Sequence, residues 1–429
     1  QMTAWKLDRH GERAKVLAVT GERAIAMTIA MNKDWAEACR DLMPMAVGLR
    51  RRLHQHPELG LDLPETTKAV REALSGLDLD IAQGPSTSGL VVTLKGGQQG
   101  PTILLRGDMD ALPMPEDTDL PFKSEVEGRM HACGHDSHTA MLVGAVHLLH
   151  RRREQLKGNV KFMFQPGEEG HHGAKFMIED GLLDAAPVPQ AAFAIHISPN
   201  IPSGVIAARP GPMMAAADRV MIHIAGRGGH ASMPHFTRDP VPVACEIVQA
   251  LQSFVTRKID AFDPIVLSVT TITAGTTDNV IPEDVRMSGT LRSFSATARA
   301  RAHEGIRRVA ENIAAAHELS ATVEYEFGYP VTENNADAVA FARKVANDLF
   351  GKQGYAPMPA PVMGAEDFSY VLQKMPGCMV FLGVAPEGVD HRHAHACHSN
   401  RMMLDEDAMA HGIAMHAAIA ERFLEQGRW

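Results

Sequence analysis

The chain has 429 residues, a formal net charge of -9 at pH 7, and 45% hydrophobic against 22% charged residues. This composition is typical of a globular protein of two or three domains, and it lacks the basic excess that a nucleic-acid-binding protein needs to neutralise phosphates. We also expect no membrane partner, because no apolar run approaches the roughly 20 residues that span a bilayer.

The first segment, residues 1–30, contains scattered charges and no apolar stretch typical of a secretory signal, so we interpret it as an N-terminal extension outside the fold. After it, segments with helical and strand character alternate. Helices are predicted over residues 34–53, 65–74, 139–150 and 405–425. Strands are predicted over residues 89–94, 102–106, 160–165, 191–197 and 379–383. The strand-like runs are almost continuously apolar, which indicates a sheet covered by helices on both faces.

Residues 210–328 have a different pattern. RVMIHIAGRG and SVTTITAG alternate apolar and polar residues, as half-exposed antiparallel strands do. Two helices and a last strand are predicted over residues 241–261, 296–317 and 321–327. This β-α-β-β-α-β order predicts a ferredoxin-like α+β satellite domain with one open sheet face. The insert divides an α/β mixed-sheet catalytic domain into residues 31–209 and 329–429.

Acidic and histidine side chains follow several of the predicted strands. Asp110 comes after TILLRGD, Glu168 and Glu169 come after KFMFQPG, and His196 lies near the end of AAFAIHIS. The carboxyl ends of strands in an open α/β sheet form its ligand-binding edge, so we expect these groups to converge there. An adjacent acidic pair at such a place can divide its roles, since one carboxylate can bind a metal while the other accepts a proton from water.

The stretch MHACGHDSH places Cys133 two residues before His135, just ahead of a predicted helix. Thiolate and imidazole together suit Zn²⁺, Mn²⁺, Co²⁺ and Ni²⁺. Alone, the stretch also fits a nucleophilic cysteine, or a buried cysteine among solvated histidines. The nucleophile hypothesis leaves Glu168 and Glu169 without a role. The five cysteines are odd in number and widely spaced, which predicts a reduced, cytoplasmic protein.

Four further residues are ambiguous when each is considered alone. His398 lies in the histidine-rich loop HRHAHACHSN, and His230 and Asn279 lie in turns. Arg292, in GTLRSF, is either an exposed strand residue or a ligand for a substrate carboxylate.

Eight motifs occur in the order found in the di-metal aminoacylase/carboxypeptidase family. They are GDMDALP, HACGHD, QPGEEG, AIHISP, GGHASMP, AGTTDNVIP, GTLRSF and GAEDFSY. The sequence most resembles the N-acyl-amino-acid amidohydrolase branch, which includes hippurate hydrolases and plant auxin-conjugate hydrolases. The resemblance runs from HQHPELG at 54–60 to the closing helix, so it covers nearly the whole chain.

This resemblance implies two divalent metal ions, Mn²⁺, Zn²⁺, Co²⁺ or Ni²⁺, with Cys133 as the bridging ligand. The implied metal ligands are Cys133, His135, Glu169, His196 and His398. Glu168 resembles the general base of the family, and Asp110 resembles the carboxylate that orients a ligand or the base. The implied substrate-closing residues of the insert are His230, Asn279 and Arg292. In relatives, the counterpart of His230 reaches the active site of the partner subunit. No role follows for His171 or His172.

The function that the resemblance implies is hydrolysis of the amide bond of an N-acyl amino acid, hippurate-like or related. The products are a carboxylic acid and a free amino acid, and the enzyme is expected to be a homodimer or larger homo-oligomer joined through the satellite domain. Two hydrolase alternatives are a dipeptidase and an N-acyl-diaminopimelate deacylase. A non-catalytic, metal-binding regulatory protein is disfavoured, because every implied ligand and the base are present.

Overall fold

The computed structural model describes residues 29–429 of the chain. Of the predicted N-terminal extension, residues 1–30, only the last two therefore lie within the described residues. The backbone carbonyl of Ile29 accepts a 2.8 Å hydrogen bond from His411 Nε2. No helix between residues 29 and 429 is both long enough and apolar enough to cross a bilayer.

Ten α-helices lie within the described range. They are α1 (Lys33–Arg40), α2 (Met43–Gln55), α3 (Pro64–Ala73), α4 (His135–Arg151), α5 (Gly173–Glu179), α6 (Pro240–Lys258), α7 (Ala296–Ala316), α8 (Ala336–Phe350), α9 (Ser369–Leu372) and α10 (Met409–Gln426).

The same range contains sixteen β-strands. They are β1 (Asp80–Gln83), β2 (Leu90–Lys95), β3 (Gln98–Asp108), β4 (Lys157–Gln165), β5 (Ala191–Ser198), β6 (Ile206–Ala208), β7 (Gly211–Met214), β8 (Ala216–Ala225), β9 (Gly229–His230), β10 (Ile265–Ala274), β11 (Val280–Ile281), β12 (Asp284–Ser293), β13 (Ser320–Phe327), β14 (Thr332–Asn334), β15 (Tyr355–Pro357) and β16 (Gly377–Gly383).

The main sheet has eight strands in the order β1-β2-β4-β3-β5-β16-β6-β15. Its central strands β4, β3, β5 and β16 are parallel, and β2 runs antiparallel to β4 at one side. Side chains of β3 alternate between two cores: Ile103 and Leu105 pack with α1–α4, α8 and α10, whereas Leu104 packs with α5 and α9. The mixed sheet covered by helices on both faces, as predicted from its continuous apolar runs, is confirmed.

The insert forms a four-stranded antiparallel sheet in the order β10-β12-β8-β13. Helices α6 and α7 pack on one face of it around a separate hydrophobic core, which includes Ile222 of β8, Ile247 of α6 and Ile306 of α7. The short strands β9 and β11 pair with each other beside this sheet. The predicted β-α-β-β-α-β order of the main elements is therefore observed, with this two-stranded ribbon added.

Two short strands pair where the chain leaves and re-enters the main sheet region. Strand β7, at the start of the insert, is antiparallel to β14, which follows the insert. The chain segments at the start and after the end of the insert therefore run side by side. Residues next to these two segments lie close to the main sheet.

The single helix predicted over residues 34–53 is wrong, because α1 ends at Arg40 and α2 begins at Met43. Pro44 lies in the first turn of α2, where its missing N–H costs nothing, but its ring would disrupt a continuous helix. Strands β1, β6 and β15 could not be predicted from the sequence, because strands of three or four residues are too short to give a periodic signal. Helix α8 was not predicted either, although ADAVAFARKVANDLF has helical periodicity.

Candidate metal centre

The carboxyl ends of three neighbouring parallel strands bring the predicted site residues together. Strand β3 ends at Asp108, which is in register with Gln165 at the end of β4, and His196 lies on β5, the neighbour of β3 on its other side. The loops after β3 and β4 carry Asp110 and the Glu168-Glu169 pair. The convergence expected from the strand-end positions is therefore observed.

The tight turn before α4 places Cys133 and His135 against this edge. Gly134 has φ of 80°, in the left-handed region, and a Cβ atom there would lie 2.6 Å from Ile197 Cγ1. Only glycine meets both requirements without strain. The turn therefore brings the thiol and the imidazole into the buried end of the sheet.

The free ring nitrogen of His135 is available to a cation. Its Nδ1 lies 2.8 Å from the backbone carbonyl oxygen of Asp110, and this contact fixes Nδ1 as the N–H donor. Its Nε2 is buried without a hydrogen-bond partner, 3.4 Å from Asp108 Oδ2 and 4.0 Å from Glu168 Oε2. A buried lone pair among carboxylates is the arrangement that a metal-binding histidine requires.

His196 is oriented in the same way. Its Nδ1 donates to the backbone carbonyl of Ile197 at 2.7 Å, and its Nε2 lies 3.4 Å from Cys133 Sγ. Burial lowers the pKa of His196 well below its usual value, so the ring is neutral at physiological pH. Neutral imidazole is the form that binds metal.

His138 lies in the same cluster, but both of its ring nitrogens are used within the protein. Its Nδ1 donates to Asp108 Oδ1 at 2.5 Å, and its Nε2 accepts from the backbone N–H of Ile197 at 2.8 Å. No lone pair of this ring is free for a cation. His138 therefore supports the site and does not provide a ligand.

His398 and Glu169 form the more open side of the cluster. His398 Nε2 lies 3.1 Å from Glu169 Oε1, and the His398 side chain is 55% exposed whereas that of Glu169 is 12% exposed. The backbone N–H of His398 donates to the carbonyl of Ala132 at 2.8 Å. This bond fixes the C-terminal loop directly beside Cys133.

Asp110 links the histidine side of the cluster to the acidic pair. Its carboxylate accepts hydrogen bonds from the backbone N–H groups of Glu168 at 2.9 Å and Glu169 at 3.0 Å, while its carbonyl oxygen orients His135. Asp110 therefore positions both the His135 ring and the backbone that carries the Glu168 and Glu169 carboxylates.

Residues 29–429 contain five sets of three residues whose ligand atoms lie within 4.8 Å of one another, and three of these sets consist only of predicted metal ligands and the predicted base. These three sets are Cys133–His135–His196, Cys133–Glu169–His398 and His135–Glu168–Glu169. Thiolate, imidazole and carboxylate together suit borderline divalent ions such as Zn²⁺, Mn²⁺, Co²⁺ and Ni²⁺. Cys133, His135 and Glu169 each belong to two of these three sets, so the residues fit a pair of neighbouring divalent cations; the bridging position of Cys133 stays a prediction.

A buried charged group that the sequence analysis did not assign lies directly behind Glu168. Glu366 and Asp367, from GAEDFSY, have carboxylate oxygens within 4.8 Å of Glu168. Arg106 donates to Glu366 at 2.6 Å and lies 2.7 Å from Asp108. Burial, followed by the charges of Glu366 and Glu169, raises the pKa of Glu168 well above its usual value. The only available signal was that GAEDFSY belongs to the family pattern.

His230 and Asn279 lie together on the insert rather than at this cluster. The backbone N–H of Ala231 donates to the Asn279 carbonyl at 3.0 Å, and His230 pairs with Val280 in the β9–β11 ribbon. The His230 ring is exposed and contacts Ser232 at 2.8 Å. Within residues 29–429, no hydrogen bond connects either side chain to the metal cluster.

Arg292, in contrast, lines a cavity that reaches the residues after the Glu168-Glu169 pair. This cavity of about 440 Å³ is bordered by Gly170, His172, Arg292 and Tyr329, among others. The guanidinium of Arg292 is half-buried, and it forms no hydrogen bond or ion pair with any residue from 29 to 429. An unpaired, partly desolvated guanidinium favours an anionic ligand.

Comparison with known proteins gives a consistent result. The chain matches Peptidase family M20/M25/M40 over residues 104–422. It is 39% identical to thermostable carboxypeptidase 1 of Saccharolobus solfataricus over 388 residues, 90% of this chain and 96% of that protein. It is 40% identical to N-acetylcysteine deacetylase of Bacillus subtilis over 380 residues, 88% of this chain and 97% of that protein. A solved Bacillus subtilis structure, described as a dinuclear metal binding peptidase from the M20 family, has a TM-score of 0.77 and 36% identity, covering 90% of this chain and 99% of its own.

We expect the affinity of the chain for divalent cations to increase with pH. A hydrogen bond with Cys397, followed by burial and the nearby carboxylates, raises the pKa of the Cys133 thiol well above its usual value. Binding as a thiolate must therefore release a proton, so affinity rises about tenfold per pH unit for each proton released. Competition titration of Zn²⁺ against a chelating indicator, between about pH 6 and pH 8, measures this slope.

Cys133→Ser tests whether that thiol is responsible. We expect this variant to bind Zn²⁺ more weakly and with a smaller pH slope. Cys245→Ser, at an exposed position of α6, is the matched control and should keep both properties. Unchanged affinity and slope in Cys133→Ser would show that the thiol is not a ligand.

Proposed function

Because the chain belongs to peptidase family M20/M25/M40, we propose that it is a metal-dependent amidohydrolase of N-acyl amino acids. The reaction converts a hippurate-like or related N-acyl amino acid and water into a carboxylic acid and a free amino acid. The observation that carries this proposal is the position of Glu168, a buried carboxylate whose oxygen lies within 4.8 Å of ligand atoms of His135 and Glu169, two of the proposed metal ligands.

The proposed cofactor is a pair of divalent ions, Mn²⁺, Zn²⁺, Co²⁺ or Ni²⁺. The proposed ligands are Cys133, in the bridging position, together with His135, Glu169, His196 and His398. When bound, the ions supply Lewis-acid chemistry, which stabilises negative charge on an amide oxygen and makes water more acidic. The ligand sets are distinct but share Cys133, His135 and Glu169, which supports a pair of neighbouring ions rather than a single ion.

Glu168 is proposed as the general base and then the general acid. It accepts a proton from water as the water oxygen forms a bond to the amide carbonyl carbon. As the C–N bond breaks, Glu168 gives that proton to the departing amine nitrogen. Burial and the neighbouring carboxylates raise the pKa of Glu168 above its usual value, which favours holding the proton until it is given to the amine.

Arg292 is proposed to bind the free α-carboxylate of the amino-acid half. The guanidinium borders the same cavity as Gly170, which follows the acidic pair directly. A carboxylate bound there would place the neighbouring amide bond toward Glu168. This arrangement supports substrates that keep a free carboxylate next to the scissile amide.

A peptide with a free C-terminus offers the same carboxylate and amide, so a dipeptidase or carboxypeptidase-like activity is the second candidate. The Saccharolobus relative is named as a carboxypeptidase, whereas the Bacillus relative is named as an N-acetylcysteine deacetylase. An N-acyl-diaminopimelate deacylase uses the same amide chemistry. A peptidase differs from an N-acyl-amino-acid hydrolase in the group on the acyl side of the amide, and a diaminopimelate deacylase differs in the amino acid on the amine side. A substrate panel separates these alternatives.

A second copy of the chain is the proposed partner, because it could supply His230 and Asn279 to the site. Strand β10 is an edge strand of the insert, and Ile272 on it is 54% exposed. Exposed edge strands with apolar side chains favour pairing with another chain. His230 from the partner would then donate a hydrogen bond to the developing oxyanion, and Asn279 would contact the substrate. The cytoplasmic location remains a prediction from cysteine usage.

Amino-acid release from a substrate panel tests the reaction, and Glu168→Gln tests the base. The panel contains hippurate, N-acetylcysteine, other N-acetyl amino acids, dipeptides and N-succinyl-diaminopimelate, each with Mn²⁺, Zn²⁺, Co²⁺ or Ni²⁺. We expect Glu168→Gln to retain its metal but to lose about 10²- to 10⁴-fold in kcat, because the neutral amide cannot take the proton.

The matched control is Glu179→Gln at the exposed end of α5, which should leave kcat unchanged. Near-native turnover in Glu168→Gln would reject the base assignment. If the metal-loaded wild type releases no amino acid from any substrate, the non-catalytic metal-binding alternative gains support instead.

The role of Arg292 is tested with pairs of substrates that differ only in the carboxylate. For a free N-acyl amino acid, we expect Arg292→Leu to lower kcat/KM by about tenfold to a hundredfold, the effect of losing a charge-assisted hydrogen bond. The corresponding N-acyl amino-acid amide should be little affected. Arg286→Leu, an exposed position on the same strand, is the control. Equal losses on both substrates would contradict carboxylate recognition.

Subunit complementation tests the placement of His230. We expect Glu168→Gln and His230→Ala each to be nearly inactive alone. If His230 acts across a two-fold interface, random mixing restores about a quarter of wild-type activity, because one site in each mixed dimer has both residues. No recovery, with subunit exchange verified by differently tagged chains, would contradict action across the interface.

A further inference from the structure

Tyr329 lies where the chain returns from the insert and reaches directly into the turn that carries the acidic pair. Its phenol O–H donates to the backbone carbonyl of Glu168. The same oxygen accepts hydrogen bonds from the backbone N–H groups of Gly170 at 2.7 Å and His172 at 3.4 Å. One buried hydroxyl therefore connects three backbone groups of residues 168–172, which we name the acidic turn.

The backbone around Tyr329 is fixed to the insert. Its carbonyl accepts from the N–H of Ala217 on β8 at 3.0 Å, and the N–H of Gly328 donates to Asp218 Oδ1 at 3.2 Å. Asp218 is buried and pairs with Arg299 of α7, and it lies 2.8 Å from His303 of the same helix. A continuous series of polar contacts therefore runs from α7 to the acidic turn.

The acidic turn is held from two directions. The Asp110 carboxylate binds the N–H groups of Glu168 and Glu169. The Tyr329 hydroxyl binds the carbonyl of Glu168 and the N–H groups of Gly170 and His172. At the end of the turn, His172 has φ of 58°, a left-handed conformation that is unusual for a non-glycine residue. Its ring packs edge-on to Tyr329 with 4.9 Å between centroids, and its Nδ1 lies 2.9 Å from Tyr370 Oη. A left-handed conformation at a non-glycine residue is stable only where neighbouring groups hold the backbone in place.

We propose that Tyr329 is a positioning residue whose phenol group sets the placement of the Glu168 and Glu169 side chains and joins that placement to the insert. Its aromatic ring fills space between the two parts of the chain, and its hydroxyl aligns the acidic turn. The inference rests on the proposed function, because the aligned carboxylates are the proposed base and ligand. It also gives His172 a role, that of packing against the phenol ring that holds its own backbone.

Tyr329→Phe removes the hydroxyl but keeps the ring, so packing is retained while three backbone hydrogen bonds are lost. We expect kcat of the metal-loaded enzyme to fall between about tenfold and a hundredfold, because a displacement near 1 Å of a catalytic group has effects of this size. At saturating metal concentration, KM and the number of bound metal ions should stay within about twofold of wild type, since every proposed carboxylate-binding and metal-ligating side chain is still present.

Tyr355→Phe is the matched control. The Tyr355 hydroxyl also donates to a backbone carbonyl, that of Ala208, at 3.2 Å, but it lies on β15 away from the cluster. We expect its kcat to equal that of the wild type. Equal losses in both variants would indicate a general stability effect and overturn the positioning role.

Amide hydrogen exchange of the metal-loaded proteins provides a readout that does not depend on turnover. We expect peptides spanning residues 166–173 to exchange faster in Tyr329→Phe and at the wild-type rate in Tyr355→Phe. Unchanged exchange, or kcat within about twofold of wild type, would overturn the proposal. If the wild type hydrolyses no substrate, the proposed function fails, while the exchange comparison still decides whether Tyr329 holds the acidic turn.

Discussion

The buried negative charge at the carboxyl edge of the main sheet is the constraint on which the rest of the structure depends. Asp108, Glu168, Glu366 and Asp367 are almost completely buried there. Arg106, itself fully buried, contacts three of these carboxylates but not Glu168. Buried carboxylates are costly without compensating charge, and Glu168 Oε2 lies 4.0 Å from Nε2 of His135, a candidate metal ligand. This edge therefore combines candidate metal ligands with buried negative charge that favours cations.

The side chains of this centre are oriented largely through the main chain. The carbonyls of Asp110 and Ile197 determine which nitrogen of His135 and His196 is free. Backbone N–H groups of the acidic turn are bound by Asp110 and Tyr329. Because these backbone groups belong to the ends of packed strands or to short turns beside them, the functional atoms are held more rigidly than long loops would allow.

The insert carries its predicted site residues in two separate places. Arg292 on β12 borders a cavity next to the acidic turn of the same chain, whereas His230 and Asn279 lie on the β9–β11 ribbon without contact to the cluster of that chain. This difference follows from the topology of the insert. Arg292 lies near the end of the central strand β12, and its strand partner Ala217 is hydrogen-bonded to Tyr329, where the chain leaves the insert. The β9–β11 ribbon lies beyond the opposite end of the same sheet.

The sequence by itself determined the sheet classes and the edge where the chemistry lies. Continuous apolar runs predicted the buried strands of the main sheet, and alternating runs predicted the sheet of the insert, because both signals are local and periodic. Polar residues near the ends of the predicted strands predicted the convergence of Asp110, Glu168 and His196. The family resemblance already separated His135 from His138, but only the tertiary structure supplied the physical reason, the hydrogen-bond partner of the second ring nitrogen of each histidine. The tertiary structure alone revealed Glu366 beside Arg106, 260 residues apart, and Tyr329 beside Glu168, 161 residues apart. The reason is that the hydrogen-bond partners of these side chains are distant in sequence, so a local sequence pattern cannot predict them.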